Sequence, residues 1–209
     1  METYLTVFDQ NETEYVEKRS RFIATLRHCE TEAEASAFLE EMRSKYWDAR
    51  HNCFAYSVAE GKLCRFSDDG EPHGTAGKPM LDVIVGSGIT NIAVVVTRYF
   101  GGVLLGTGGL VRAYSKSVQD VLAGAEVFKM VPSTVLNIVC DYTDHGKLVN
   151  LIGNCNGVIS DTQFTEKVLV EFCLKTEDVD SFEKKLTETF SARLKFEIIQ
   201  KKLTPFKEK

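Results

Sequence analysis

Between Asn91 and Arg98 the chain reads Asn-Ile-Ala-Val-Val-Val-Thr-Arg, a β-branched run without polar alternation. A strand with one face in water carries a polar residue at every second position, so this run predicts a strand buried on both faces. It ends on charge and aromatics, Arg98-Tyr99-Phe100, and passes into Gly101, Gly102, Gly106, Gly108 and Gly109. Those glycines allow tight backbone geometry before a helix from about Leu110 to Leu122. Leu110, Tyr114, Val118 and Val121 share one face of that helix, while Arg112 and Lys116 share another at i, i+4.

The flanking segments extend this pattern. Thr13 to His28 alternates in two stretches around Lys18-Arg19-Ser20-Arg21, as a pair of strands with a basic turn would. Thr31 and Glu34 form a capping-box pattern ahead of a helix with Ala35, Phe38, Leu39, Met42 and Tyr46 on its core face. Strands at His51 to Val58 and Leu63 to Ser67 lead into a polar loop, residues 68–77, and then a helix from about Pro79 to Val85. A strand at Val127 to Val131 closes the first domain. Beyond Pro132 the order is βαββαβ: a strand from Thr134 to Tyr142, a short helix around Leu148, Val149 and Ile152, strands at Val158 to Phe164 and Val168 to Leu174, a helix through Val179, Phe182, Leu186 and Phe190, and a strand through Leu194, Phe196 and Ile198. That is the ferredoxin-like order. The expected fold class is α+β, with two α/β-sandwich domains over residues 1–131 and 132–209.

Composition removes several function classes. The longest apolar stretch, Ile92 to Val96, is far below the roughly 20 residues of a membrane span, so no membrane segment is expected. The start, Met1-Glu2, has neither a cationic region nor an apolar signal core, which makes the cytoplasm the expected location. The net charge is -5, and the first 130 residues carry 14 basic against 18 acidic side chains, so any RNA contact has to be a local patch. Six cysteines without a Cys-x-x-Cys pair or a histidine cluster read as reduced, mostly buried thiols, and no metal or cofactor is assigned.

Two constellations could carry chemistry. Asp68, Asp69 and Glu71 could hold magnesium or share acid/base work, or could simply build a solvated turn. The stretch from Gly101 to Gly109 could cradle an anion at a helix N-terminus, or serve close helix–strand packing. It is not a Walker A loop, because Thr107 and Gly108 stand where Lys and Ser or Thr are required, and no dinucleotide fingerprint is present. Arg98 is expected at the strand's C-terminal edge beside the glycines, where with Arg112 and Lys116 it could bind phosphate; an internal salt bridge to Asp68, Asp69 or Glu71 is the competing placement. Tyr99 and Phe100 could stack on bases or fill core. His51, beside Asn52, could be a general base or a hydrogen-bonded structural residue. No nucleophile elbow is present, and Cys53 reads as a buried strand thiol.

The segments Phe66-Ser67-Asp68-Asp69-Gly70-Glu71-Pro72, Gly74-Thr75-Ala76-Gly77-Lys78-Pro79-Met80 and, above all, Val95-Val96-Thr97-Arg98-Tyr99-Phe100-Gly101-Gly102-Val103-Leu104-Leu105-Gly106 resemble the IMPACT family in its bacterial, YigZ-type form. Ala49-Arg50-His51-Asn52-Cys53 is similar to the family's stretch ahead of the acidic loop. The resemblance covers most of residues 15 to 130 and implies a domain shared with a small-subunit ribosomal protein domain, GHMP kinases and domain IV of elongation factor G. The tail resembles domain V of that factor. Eukaryotic relatives regulate translation, so the expected function is a non-enzymatic regulator. Its partner would be RNA or the ribosome, or a protein of the translation machinery, met through a face carrying Arg98, Tyr99, Gly101, Gly102, Gly106, Gly108, Gly109, Arg112 and Lys116. The rival is a phosphate-handling transferase or hydrolase using Asp68, Asp69 or Glu71 with magnesium and the glycine turn. A pure protein-interaction module is a third possibility.

Overall fold

The computed structural model describes residues 2–207. Met1, Glu208 and Lys209, the outer ends of the two expected domains, lie outside the described residues. The described chain divides into two compact units, a first of Tyr4–Lys129 with Lys207 and a second of Met130–Phe206 with residues 2–3.

In the first unit, β1 (Tyr4–Val7) precedes β2 (Asn11–Glu17) and β3 (Ser20–His28), followed by α1 (Glu32–Lys45), β4 (His51–Val58), β5 (Leu63–Ser67), α2 (Gly77–Ser87), β6 (Ile92–Tyr99) and α3 (Gly106–Ala123). The sheet order is β2-β3-β6-β4-β5, antiparallel throughout. Strand β6 therefore sits at the centre, and its side chains alternate between two cores. Ile92, Val94 and Val96 pack with Met80 and Ile84 of α2 and Tyr114 and Val118 of α3, while Ala93 and Val95 face Ala35, Phe38 and Met42 of α1. Helices on both faces leave no solvent side to this strand, which is why its sequence lacks alternation.

Helix α1 starts as its sequence predicts. The Thr31 side chain accepts the Glu34 N–H at 3.2 Å, and Glu34 in turn accepts the Glu30 N–H at 2.7 Å. Two helices begin earlier than their apolar periodicity indicates. Helix α2 starts at Gly77, because the Asp68 carboxylate takes up the N–H groups of Gly74, Ala76 and Gly77 at 2.8–3.0 Å and so caps the helix from outside it. Helix α3 starts at Gly106, so Gly106, Gly108 and Gly109 form its first turn and only Gly101 and Gly102 belong to the loop.

The second unit holds most of β7 (Val127–Cys140), then α4 (Tyr142–Asn154), β8 (Val158–Phe164), β9 (Val168–Lys175), α5 (Val179–Phe190) and β10 (Phe196–Lys207). Strand β7 lies between β9 and β10, and β8 flanks β9, the strand order of a ferredoxin-like unit. Val168, Val170, Phe172 and Leu174 of β9 point inward against Leu148 and Ile152 of α4 and Phe182, Leu186 and Phe190 of α5. Where the sequence predicts two strands separated at Pro132, the structure has the single strand β7. Its ladder with β9 begins at Ser133 opposite Lys175, so the missing N–H of Pro132 costs no bond to β9. Tyr142, expected at a strand end, opens α4 instead.

The six cysteines are free thiols; five are buried and Cys64 is partly exposed. Among the described residues no helix is long and apolar enough to cross a membrane.

The tightest backbone approach in the first unit is at Gly101, where a Cβ would stand 2.0 Å from the Arg19 carbonyl carbon. The turn backbone has no room to yield, so Gly101→Ala is expected to destabilise the unit by about 3 kcal/mol. A urea melt of the variant against the parent chain measures it; an unchanged midpoint would mean the two backbones can separate freely.

Candidate functional site

The pairing at the strand's end decides between the two placements of Arg98. Its side chain is buried, with 6% of the residue exposed, and Nη1 donates to Glu71 Oε1 at 2.7 Å. Phe22 lies on one side of the guanidinium at 5.5 Å and Phe100 lies at 5.7 Å. Glu71 is 8% exposed, and the same Oε1 also accepts from the Tyr114 hydroxyl at 2.8 Å. The expectation that the guanidinium emerges beside the glycines is thereby corrected, because the charge is neutralised internally and its fork is withdrawn from solvent. Arg98 Nε is buried without a hydrogen-bond partner.

The remaining acidic residues are engaged separately. Asp68 holds the start of α2; burial pushes its carboxyl up, but the N–H bonds from Gly74, Gly77 and Ala76 outweigh that and hold it below the ordinary carboxylate range. Asp69 accepts the Asn52 N–H at 2.7 Å through Oδ2, and its carbonyl lies 2.8 Å from His51 Nδ1. His51 Nε2 is 4.0 Å from Glu71 Oε1. The three carboxylates thus serve three different partners, and no three metal-ligating side chains converge among the described residues. Cys53 Sγ sits 3.0 Å from the Asp68 carbonyl and 3.3 Å from the Tyr114 hydroxyl. Burial raises the thiol and the phenol well above their ordinary values, so both stay protonated at neutral pH. The buried Cys53, Glu71, Arg98 and Tyr114, with the half-buried His51 and Asp69, form a polar network that ties the acidic loop to β4, β6 and α3.

The glycine region faces outward. Tyr99 donates its hydroxyl to Asp48 at 2.8 Å and lies 5.6 Å from the Arg21 guanidinium. Phe100 is 51% exposed and Leu104 83%. The Gly101 N–H donates to Ser20 Oγ at 3.2 Å, which fixes the loop to the β2–β3 turn. Helix α3 begins without a side-chain cap and without an acidic residue in its first turn. Beside that start is a cleft of about 480 Å³, walled by Tyr15, Glu17 and Lys18 of the hairpin and by Leu105, Gly109, Arg112 and Lys116. Glu17 accepts from the Tyr15 hydroxyl at 2.9 Å, and Lys116 pairs with Asp120 one turn on. Lys18 and Arg112 are exposed and, among the described residues, take part in no ion pair. The structure therefore brings Gly109, Arg112 and Lys116 together and places Arg98 elsewhere.

Comparison with known proteins bears on these motifs. A family model, the Impact N-terminal domain, matches residues 18–122, and a second, a domain of unknown function, matches residues 138–193. The IMPACT family member YvyE of Bacillus subtilis (strain 168) is 37% identical over 189 residues, spanning 90% of this chain and 87% of that protein. YigZ of Escherichia coli (strain K12), also an IMPACT family member, is 41% identical over 174 residues, 82% of this chain and 85% of its own. The chain belongs to the IMPACT family. A crystal structure described as that of a hypothetical protein has a TM-score of 0.62 at 37% identity, over 96% of this chain and 98% of that one.

In this IMPACT-family chain the motif Val95 to Gly106 is part core and part surface: up to Arg98 it builds the network, and from Tyr99 onward it shapes the outer loop. Lys18 and Tyr114 are the site residues that sequence reasoning misses. The alternation of the hairpin predicts the turn but not what it faces, and Tyr114 reads only as a core aromatic.

Removing one partner of a buried charge pair leaves the other uncompensated, so Arg98→Ala or Glu71→Ala is expected to cost about 3–5 kcal/mol, whereas Arg98→Met with Glu71→Leu should cost less than either alone. Denaturant titration of the three variants measures this, and additive losses would refute the coupling. Asp68→Ala should cost about 2 kcal/mol at neutral pH, since it orphans three N–H donors. Because the folded pKa of Asp68 is depressed, its stabilisation is present above the unfolded value of about 3.9 and is lost as pH falls through the folded one. The gap between parent and variant should therefore narrow in acid; a gap independent of pH would dissociate the cap from the carboxylate charge.

Proposed function

We propose that this IMPACT-family chain is a regulator of translation that engages RNA or the ribosome through the first unit, at the cleft between the β2–β3 turn and the start of α3. The observation that carries the reading is the cleft along the first turns of α3, where the cations Lys18 and Arg112, with Lys116 beside its partner Asp120, face a single lining carboxylate, Glu17, next to the uncapped, acid-free start of the helix. Free N–H groups and the positive end of the helix dipole favour a phosphate oxygen there, and Arg112 adds a planar fork for a second. Gly101 and Gly102 shape the loop beside it, and Gly106, Gly108 and Gly109 leave Thr107 as the one side chain in the first turn of the helix. Arg98 supports this surface from behind, through the network and its contact with Phe100, without touching the ligand.

The net charge of -5 makes the interaction local and salt-dependent. Arg112→Ala is expected to weaken RNA or ribosome binding and to flatten the slope of log K against log salt by about one unit. Fluorescence anisotropy with labelled RNA and co-sedimentation with ribosomes, each across a salt series, provide the measurement. Unchanged slopes for Arg112→Ala would remove the cleft from the interface. A magnesium-dependent thermal shift with nucleotides, without RNA or ribosome binding, would favour a phosphate-handling enzyme instead.

A further inference from the structure

Strand β10 of the second unit pairs with β7 on one edge, and among the described residues no strand pairs with its other edge. Along it every residue from Glu197 to Lys202 is exposed, including Ile198 at 55% and Ile199 at 48%. An edge of this kind presents a row of unpaired N–H and C=O groups beside apolar side chains, and its complement is another extended strand. The opposite edge of the same sheet is blunted. There β8 carries a register shift between Ile159 and Asp161, and Asp161 Oδ1 takes up the Thr162 N–H at 2.8 Å.

The sequence of β10 is complementary to a second copy of itself. Two identical strands paired antiparallel about a two-fold axis set one residue opposite itself and the flanking residues opposite each other in mirror order. With Ile199 on the axis, Glu197 of each copy faces Lys201 of the other, and Ile199 meets Ile199 on the same side of the sheet; Ile198 faces Gln200 on the other side. Neighbouring registers lose this complementarity. An axis at Ile198 sets Lys195 against Lys201, one at Gln200 sets Ile198 against Lys202 and Glu197 against Leu203, and one at Lys201 sets lysine against lysine. Glu197 and Lys201 take part in no ion pair among the described residues, so both charges are available. Pro205, which has no N–H to give a ladder, falls outside the span from Phe196 to Lys202 that this register pairs. We propose that β10 is a homodimerisation edge, pairing antiparallel with β10 of a second copy about a two-fold axis at Ile199.

The test is the mass of the full chain in sedimentation equilibrium. An edge contact of this length is small and the dimer correspondingly weak, so the series should run from about 1 to 500 µM, with the mass rising from one copy to two. Glu197→Lys should raise the dissociation constant about tenfold, because both Glu–Lys pairs become Lys–Lys pairs, and Lys201→Glu should do the same. The double reversal, Glu197→Lys with Lys201→Glu, should restore the parent value. Ile199→Lys sets like charges on the axis and should leave a monomer. All three positions are exposed, so the circular dichroism of each variant should equal that of the parent. A monomer mass across the whole series would overturn the proposal and leave the edge to a strand of another protein. A dimer indifferent to Ile199→Lys would overturn β10 as its site, and a double reversal no tighter than the single ones would overturn the register.

Discussion

The ion pair between Arg98 and Glu71 joins the middle of the first unit's sheet to the loop that follows its edge strand. Without it, a guanidinium at the end of the most buried strand would stand in a low-dielectric interior with no counter-charge, an arrangement that costs several kcal/mol. The pair also places Glu71 within reach of Tyr114, which links the loop to α3. Strand, loop and helix are thus fixed by two contacts on a single carboxylate oxygen. The Asp68 cap then orients α2 from the same loop. The acidic segment, which has the composition of a metal or acid/base site, works here as an internal brace.

That brace separates structure from surface within one motif. Arg98 and Glu71 face inward and Tyr99 is half-buried, while Phe100 and, further along the chain, the loop to α3 are exposed. Alternation sends Arg98 and Tyr99 to opposite faces of the sheet, and the end of the strand at Tyr99 releases the chain to the surface. Of the exposed parts, Arg112 and the uncapped helix start belong to α3, which the network holds through Tyr114, and Lys18 belongs to the β2–β3 turn, which the Gly101 N–H to Ser20 bond holds.

Much of the fold was legible because it depends on periodicity. The unalternated run at Ile92–Val96 required cover on both faces and has it, and Val168, Val170, Phe172 and Leu174 all point to their core. Helix starts were less legible, since α2 is capped by Asp68 from a distant position in sequence and α3 begins on glycines that carry no apolar signal. The site was the least legible part. Charge and composition marked Arg98, Asp68, Asp69 and Glu71 as notable, but whether a charged side chain points to a partner or to water depends on which strands are neighbours. His51 and Arg98 are Cα partners on adjacent strands, a fact absent from any local pattern.

The approach of Gly101 to the Arg19 backbone has a thermodynamic consequence for recognition. The turn that carries Lys18 is ordered when the unit folds, in a backbone conformation with positive φ at both Lys18 and Arg19 that the glycine contact helps maintain. The backbone entropy of the turn is therefore lost on folding, and a ligand at the proposed cleft would not have to order that backbone again. On the proposed reading, such a turn would favour a partner by shape fit, as a rigid die does, rather than by moulding itself to it.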